Sequence, residues 1–259
     1  MKKNILFIGY GDLGSRLASI GQEDLVITGI SRSLKPTIAP DQYHSLDWFN
    51  NPAQKVDLLK NYDCLVITLT PTSFDEAGYE KGYEEGMKLI SKLVKNISFK
   101  KSLLISSTRV YRDSEEPINE LSNVNLEDFR AKSLLESEAI YSKGINSSQK
   151  TIFRLSGLYD PEMKDKIFYR QVDEFQNKLI PISANLNRLS RDQAARIIMN
   201  FCINKTDLLL LNVSEPTVLA QERFEILFPE KNFDDFFRID NPGKQLDISN
   251  LLKSKLLDG

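Results

Sequence analysis

Gly9, Gly11 and Gly14 stand in the spacing Gly-x-Gly-x-x-Gly within NILFIGYGDLGSRLA (residues 4–18), between an apolar strand-forming run and an apolar helical pattern. A strand, a glycine turn and a helix in that order build a phosphate cradle. One glycine makes the tight turn, a second lets backbone approach a pyrophosphate, and a third lets helix and strand close together, with the helix N-terminus facing the anion. Gly9, Gly11 and Gly14 fill these three roles in turn, and Asp12 and Leu13 lie between them in the same loop. The next strand, LVITGIS, leads into Ser31-Arg32-Ser33, where a site for NAD places an acid on the ribose hydroxyls. Two hydroxyls flanking a guanidinium suit a 2′-phosphate instead, so NADP(H) is expected ahead of NAD(H). The alternative for Arg32 is a solvated loop charge.

Other chemistries are poorly supplied. The 34 basic and 36 acidic residues leave a formal charge of −2, so no overall positive field favours nucleic acid or an anionic membrane. The chain has one histidine, His44, and two cysteines, Cys64 and Cys202, each cysteine inside an apolar run. No metal site is expected from that set, and buried reduced thiols in a cytoplasmic protein are the expectation. MKK before an apolar run mimics a leader, but Gly9, Gly11 and Asp12 interrupt it, and no later stretch is long enough for a membrane span. A small-molecule substrate is therefore the expected partner, with no nucleic acid and no membrane.

The elements that must position these residues alternate. Apolar runs at 4–9, 25–31, 64–71 and 102–108 are separated by a helical pattern at 13–20, a turn at Lys35-Pro36 and a helix near 77–96. Runs that are continuously apolar belong to strands buried on both faces, which predicts a parallel sheet with helices above and below. A helix at 126–142, a strand at 150–157, helices at 168–179 and 191–203, and a strand at 208–214 follow. The fold class expected is α/β, a Rossmann-type doubly wound parallel sheet with a small C-terminal substrate region. Residues 1–157 form the dinucleotide-binding domain, 188–214 return to it, and 158–259 are mainly substrate-binding.

Further segments accompany the glycines: LLISSTRVY (103–111), RLSGLYDP (154–161), NRLSRDQAARII (187–198), LNVSEPTVLAQERFEIL (211–227) and GKQLDISNLLKSKL (243–256). In this order the chain resembles, nearly end to end, the extended short-chain dehydrogenase/reductase family, the NAD(P)-dependent epimerase/dehydratase group. It departs from the family's three-glycine form in having Ile8 at the first place. The resemblance implies that Asp47 sits near the adenine, or alternatively caps a turn, and that Thr68 to Pro71, with Thr68 and Thr70, pass along the cofactor. It further implies a Tyr one helical turn before a Lys, with a Ser or Thr nearby. Aligning AKSLLESE on the family's Lys-x-x-x-Glu puts Lys132 at the lysine, on the cofactor ribose, and Glu136 one turn on.

Asp128, not Tyr, then stands four residues before Lys132. A free Asp titrates at about 3.9, and donating a proton near pH 7 needs a rise of roughly three units, about 4 kcal/mol, against the pull of the Lys132 ammonium. Asp128 is therefore expected to stay ionised, acting only as a base or not at all; the alternative is a surface partner of Lys132. Ser107 is the surviving hydroxyl, unless it only caps backbone, and Tyr111 is a candidate phenol, unless it only packs. Thr108-Arg109 replaces the acid pair of the dehydratases and disfavours water elimination. Arg109, Arg154 and Arg188 are candidate anion binders for a phosphate-bearing substrate. The resemblance thus implies hydride transfer on a small sugar-like or carbonyl substrate by an NADP-dependent oxidoreductase or epimerase, and it makes a homodimer an expectation. The alternative is a non-catalytic NADP(H) sensor that has lost the tyrosine.

Overall fold

The computed structural model describes residues 1–32, 36–51, 56–160, 180–181, 185–219, 222, 237–238 and 244–257. β1 (Lys3–Ile8), α1 (Asp12–Ile20), β2 (Leu25–Ser31), β3 (Gln42–Ser45) and β4 (Asn61–Thr68) open the chain. A helical stretch follows in three parts: α2 (Glu76–Tyr79), a π-helical turn (Glu80–Glu85) and α3 (Gly86–Leu93). Then come β5 (Ser98–Ser107), a 3₁₀ turn (Thr108–Val110), α4 (Phe129–Gly144), β6 (Ser147–Leu155) and β7 (Gly157–Tyr159). Last are β8 (Arg188–Ser190), α5 (Arg191–Ile203), β9 (Leu210–Val213) and α6 (Ser249–Lys253).

Seven strands form one sheet in the order β9-β6-β5-β4-β1-β2-β3, and every pairing in it is parallel. β1 shows why the run is continuously apolar. Ile5 and Phe7 pack on one face with Leu17, Ile197 and Phe201, while Leu6 and Ile8 pack on the other with Trp48, Met87 and Ile90. Alternate side chains enter opposite cores, so each residue must be apolar. The chain order reverses between β1 and β4, and the carboxyl ends of those two strands therefore open onto the crevice where doubly wound sheets bind ligands.

Several boundaries differ from expectation. The helix expected at 77–96 is interrupted by the π turn. β3 was not anticipated, being short and half polar, with His44 beside Ile30. The strand expected at 150–157 is split after Leu155, and α4 starts at Phe129, not 126. The helix expected at 168–179 lies outside the described residues, as does Lys35 of the expected turn. Cys64 and Cys202 are both buried free thiols, with their sulfurs 3.7 Å apart. No helix is long and apolar enough to cross a membrane, and no group of metal-ligating side chains occurs, among the described residues.

Candidate functional site

The glycine loop lies at the carboxyl end of β1. Gly9 has φ +82, and a Cβ there would stand 2.0 Å from the Thr68 carbonyl oxygen, so this turn excludes any side chain. Thr68 buttresses it by donating from Oγ1 to the Gly9 carbonyl at 2.7 Å. At Gly11 a Cβ would meet nothing nearer than 3.8 Å, so the backbone is open on its ligand side. Gly14 has a reason other than the expected strand contact: its missing side chain makes room for the Tyr10 ring, 2.6 Å from where a Cβ would stand. α1 begins at Asp12, with Gly11 as its N-cap and no side chain capping the first-turn amides. An open glycine backbone beside uncapped amides fits a pyrophosphate.

Beyond β2 a pocket of about 240 Å³ is lined by Gly11, Ser31, Arg32, Trp48 and Thr70, among others. The Arg32 guanidinium lies 5.5 Å from the Trp48 ring centroid and 5.2 Å from that of Phe49, and Nη2 reaches Thr70 Oγ1 at 3.4 Å. These contacts leave most of its donors without a hydrogen bond among the described residues. Ser31 shares a hydrogen bond with the Tyr43 hydroxyl at 2.7 Å. Ser33 lies outside the described residues. Asp47 forms a turn: its carboxylate accepts from the backbone amides of Phe49 and Asn50 and from Asn50 Nδ2. Burial raises its pKa, but these hydrogen bonds outweigh it, and with the Arg32 charge they hold the carboxyl below its ordinary value.

The nicotinamide end of a dinucleotide would run from the loop into a cleft of about 670 Å³, whose walls include Gly11, Leu13, Tyr83, Ser107, Leu134 and Ser156. Here the expected catalytic set is corrected. Lys132 is exposed on α4, and so is Glu136. The glutamate that α4 turns into the protein is Glu138, which accepts from Arg154 Nη2 at 2.7 Å, Arg154 Nε at 3.1 Å and Ser106 Oγ at 2.5 Å. Four residues before Glu138 is Leu134, and that leucine faces the cleft. Lys132 and Glu136, expected at the cofactor ribose and one turn on, are not in the described cleft wall. Asp128 is the N-cap of α4, accepting from the Arg130 amide at 2.9 Å, rather than a partner of Lys132.

Tyr111 is fully buried, its hydroxyl donating to Asn212 Oδ1 at 2.8 Å and accepting from Arg154 Nη1 at 2.9 Å. Burial raises its pKa, with Arg154 opposing, and it has no access to the cleft wall. Arg154 is likewise consumed by Glu138 and Tyr111, so it is a structural cation and not an anion binder. Arg188 packs over Gly157, with Nη1 2.8 Å from where a Cβ would stand, and is not in the cleft wall. Arg109 is exposed on the 3₁₀ turn. The three arginines do not converge on one anion site.

Ser107 does face the cleft, while its Oγ accepts from the Arg109 amide at 3.2 Å. The cleft residues that were missed include Ser156, Arg191 and Tyr83. Ser156 is 5% exposed, and its hydroxyl has no hydrogen-bond partner among the described residues, an orphaned polar atom where a ligand would lie. Arg191, first residue of α5, lines the loop end of the cleft with Nη1 3.5 Å from Asp12 Oδ2. Tyr83 enters from the π turn. A lone Ser, Arg or Tyr in helical or loop sequence carries no local mark; only the π turn, a recurrent feature of functional sites, would have flagged Tyr83.

No family model matches the chain, and a search of curated proteins finds no match. Solved structures do match. A Methylobacillus flagellatus protein described as an NAD-dependent epimerase/dehydratase is 24% identical, covering 97% of this chain and 91% of its own, with a TM-score of 0.71. The fold is that of the epimerase/dehydratase structures. UDP-glucuronic acid 4-epimerase from Bacillus cereus, in complex with a fluorinated UDP-glucuronic acid and NAD, is 18% identical over 99% of this chain and 96% of its own, at a TM-score of 0.73. UDP-N-acetylglucosamine 4-epimerase from Methanobrevibacter ruminantium, in complex with UDP-N-acetylmuramic acid, is 18% identical over 98% and 92%, also at 0.73. At these identities the likeness establishes the fold.

Proposed function

We propose that the protein binds a nicotinamide dinucleotide along the glycine loop, NADP(H) in preference to NAD(H), and transfers hydride on a small sugar-like hydroxyl or carbonyl compound. The observation that carries this reading is the loop itself, where a positive-φ Gly9, an open Gly11 and uncapped α1 amides face one crevice, with Arg32 at its adenosine end. Residues 1–157 with 188–214 hold the cofactor on this reading, and the rest of 158–259 covers the substrate. The Bacillus cereus neighbour binds NAD, and Arg32 with its partly unused donors is the reason for preferring a 2′-phosphate here. The nucleotide sugars bound by both neighbours support a sugar-like substrate.

When bound, the dinucleotide supplies or accepts the hydride. The chain's own residues do the rest: Ser107 and Ser156 present hydroxyls to the substrate end, and Leu13, Leu134 and Leu158 exclude water from it. The exposure of Lys132, away from the described cleft wall, also favours a second reading, binding without turnover. Calorimetric titration with NADPH, NADP⁺, NADH and NAD⁺, followed by a carbonyl screen with the cofactor that binds, tests both. Tight binding with turnover supports the first reading, tight binding without turnover supports the second, and no binding refutes both.

A further inference from the structure

We propose that Tyr83 is the catalytic acid of this cleft, donating its phenolic proton to the substrate oxygen. The inference rests on the hydride-transfer reading above and names the group that completes it. Among the described residues of the cleft wall only Asp12, Tyr83 and Arg191 titrate. Asp12 is ion-paired with Arg16 at 3.1 Å and with Arg191 at 3.5 Å. That leaves Tyr83 as the one residue of the three outside an ion pair, with a phenolic proton to give.

Its position is built by the fold. The π turn that carries it is pressed onto the loop after β4, where a Cβ on Gly82 would stand 2.4 Å from the Thr70 carbonyl oxygen and 2.6 Å from Pro71 Cα. This close approach brings residue 83 to the wall shared with Ser107 and Leu134. The Tyr83 ring packs in the cluster around Leu134, and the Tyr79 ring stands 5.5 Å from it. Its hydroxyl makes no hydrogen bond among the described residues, so the donor is not spent on structure. Burial and the neighbouring Tyr79 push the phenol up to about 12, with the Arg109 cation opposing, so it is protonated at neutral pH.

In the reducing direction the carbonyl carbon receives the hydride that the reduced dinucleotide supplies, and the carbonyl oxygen takes the phenolic proton. The products are the alcohol and the oxidised dinucleotide. The phenolate, beside the Arg109 charge, regains its proton from water.

The test compares the intact protein with Tyr83→Phe and, as a control, with Tyr62→Phe, which lies at the other end of β4 from the glycine loop. Cofactor binding is read by energy transfer from Trp48 to NADPH. Turnover is read as NADPH oxidation with a panel of aldehydes and ketones that includes pyridine-3-carboxaldehyde. The expected result is NADPH affinity within two-fold in all three, with kcat lowered about 10²- to 10⁴-fold in Tyr83→Phe alone, the range for a lost general acid, and its solvent isotope effect abolished. Turnover in Tyr83→Phe within two-fold of the intact protein overturns the inference and leaves the hydride-transfer reading standing. An intact protein that binds NADPH and reduces nothing overturns both, and one that binds no NADPH removes the cofactor reading itself.

Discussion

Replacing Arg154 by Met should unfold this protein more readily and leave the cofactor site unaltered. The guanidinium and the Glu138 carboxylate have side chains only 7% and 8% exposed, joined at 2.7 and 3.1 Å, and Arg154 also donates to Tyr111 at 2.9 Å. Removing the cation leaves a buried carboxylate whose remaining partner is Ser106, and a charge stranded in that way costs about 3–5 kcal/mol. For a chain of this size that lowers Tm by about 6–20 °C. Glu138→Leu with Arg154→Met removes both charges, and the double variant should lie within about 1 kcal/mol of the intact protein, since apolar replacement of a whole buried pair is close to neutral. Guanidinium melts of the four proteins close the cycle. A loss below about 1 kcal/mol in Arg154→Met, accompanied by loss of ligand binding, would refute the structural role and return Arg154 to the ligand site.

Gly9→Ala forces a Cβ into the Thr68 carbonyl and strains a left-handed φ, so it should lower Tm and weaken NADPH binding at least tenfold; a variant that binds normally would mean the turn is not held by this contact. Arg191→Ala should weaken ADP-ribose about 10-fold but 2′-AMP less than two-fold, because the guanidinium stands at the loop end of the cleft; equal losses would place it elsewhere. Burial raises the Asp63 pKa, but hydrogen bonds from Lys100 Nζ and the Asn4 amide outweigh it and lower it overall. A depressed folded pKa contributes stability above the unfolded value of about 4, lost as pH falls below it, so Asp63→Asn should flatten the acid limb of Tm against pH. Cys64, raised by burial, should resist iodoacetamide at pH 8 until the protein is unfolded; rapid labelling of the native protein would contradict its burial.

The sheet was legible because its strands are apolar on both faces, as at Ile5 to Ile8, and the glycine loop because φ and space at Gly9 admit no other residue. α4 was legible as a helix but not in its facing. It buries Ser133, Ser137 and Glu138 beside Ala131, Leu134 and Tyr141, so polar side chains, Ser133 bonded to Glu84 and Glu138 to Ser106 and Arg154, interrupt the apolar stripe. Without the stripe, Lys132 could be set inward and Leu134 outward. Arg154 and Tyr111 read as ligand groups for a related reason: a buried ion pair and a buried phenol carry the same letters as a polar pocket, and only the contact from β6 to α4 tells them apart. Tyr83 and Ser156 were hidden because their placement depends on a π turn and on the break between β6 and β7.

The most direct test of the central claim uses the single tryptophan. Trp48 lines the pocket beside Arg32, and the reduced nicotinamide absorbs where indole emits. Titrating NADPH and NADH in parallel into the intact protein and Arg32→Ala should give saturable quenching of Trp48 with sensitised nicotinamide emission, tighter for NADPH. The preference should fall by about 10-fold in the variant, the loss of a charge-assisted contact to the 2′-phosphate. Equal affinity for both cofactors would contradict the assignment of Arg32, and no saturable transfer from either would contradict dinucleotide binding at the loop.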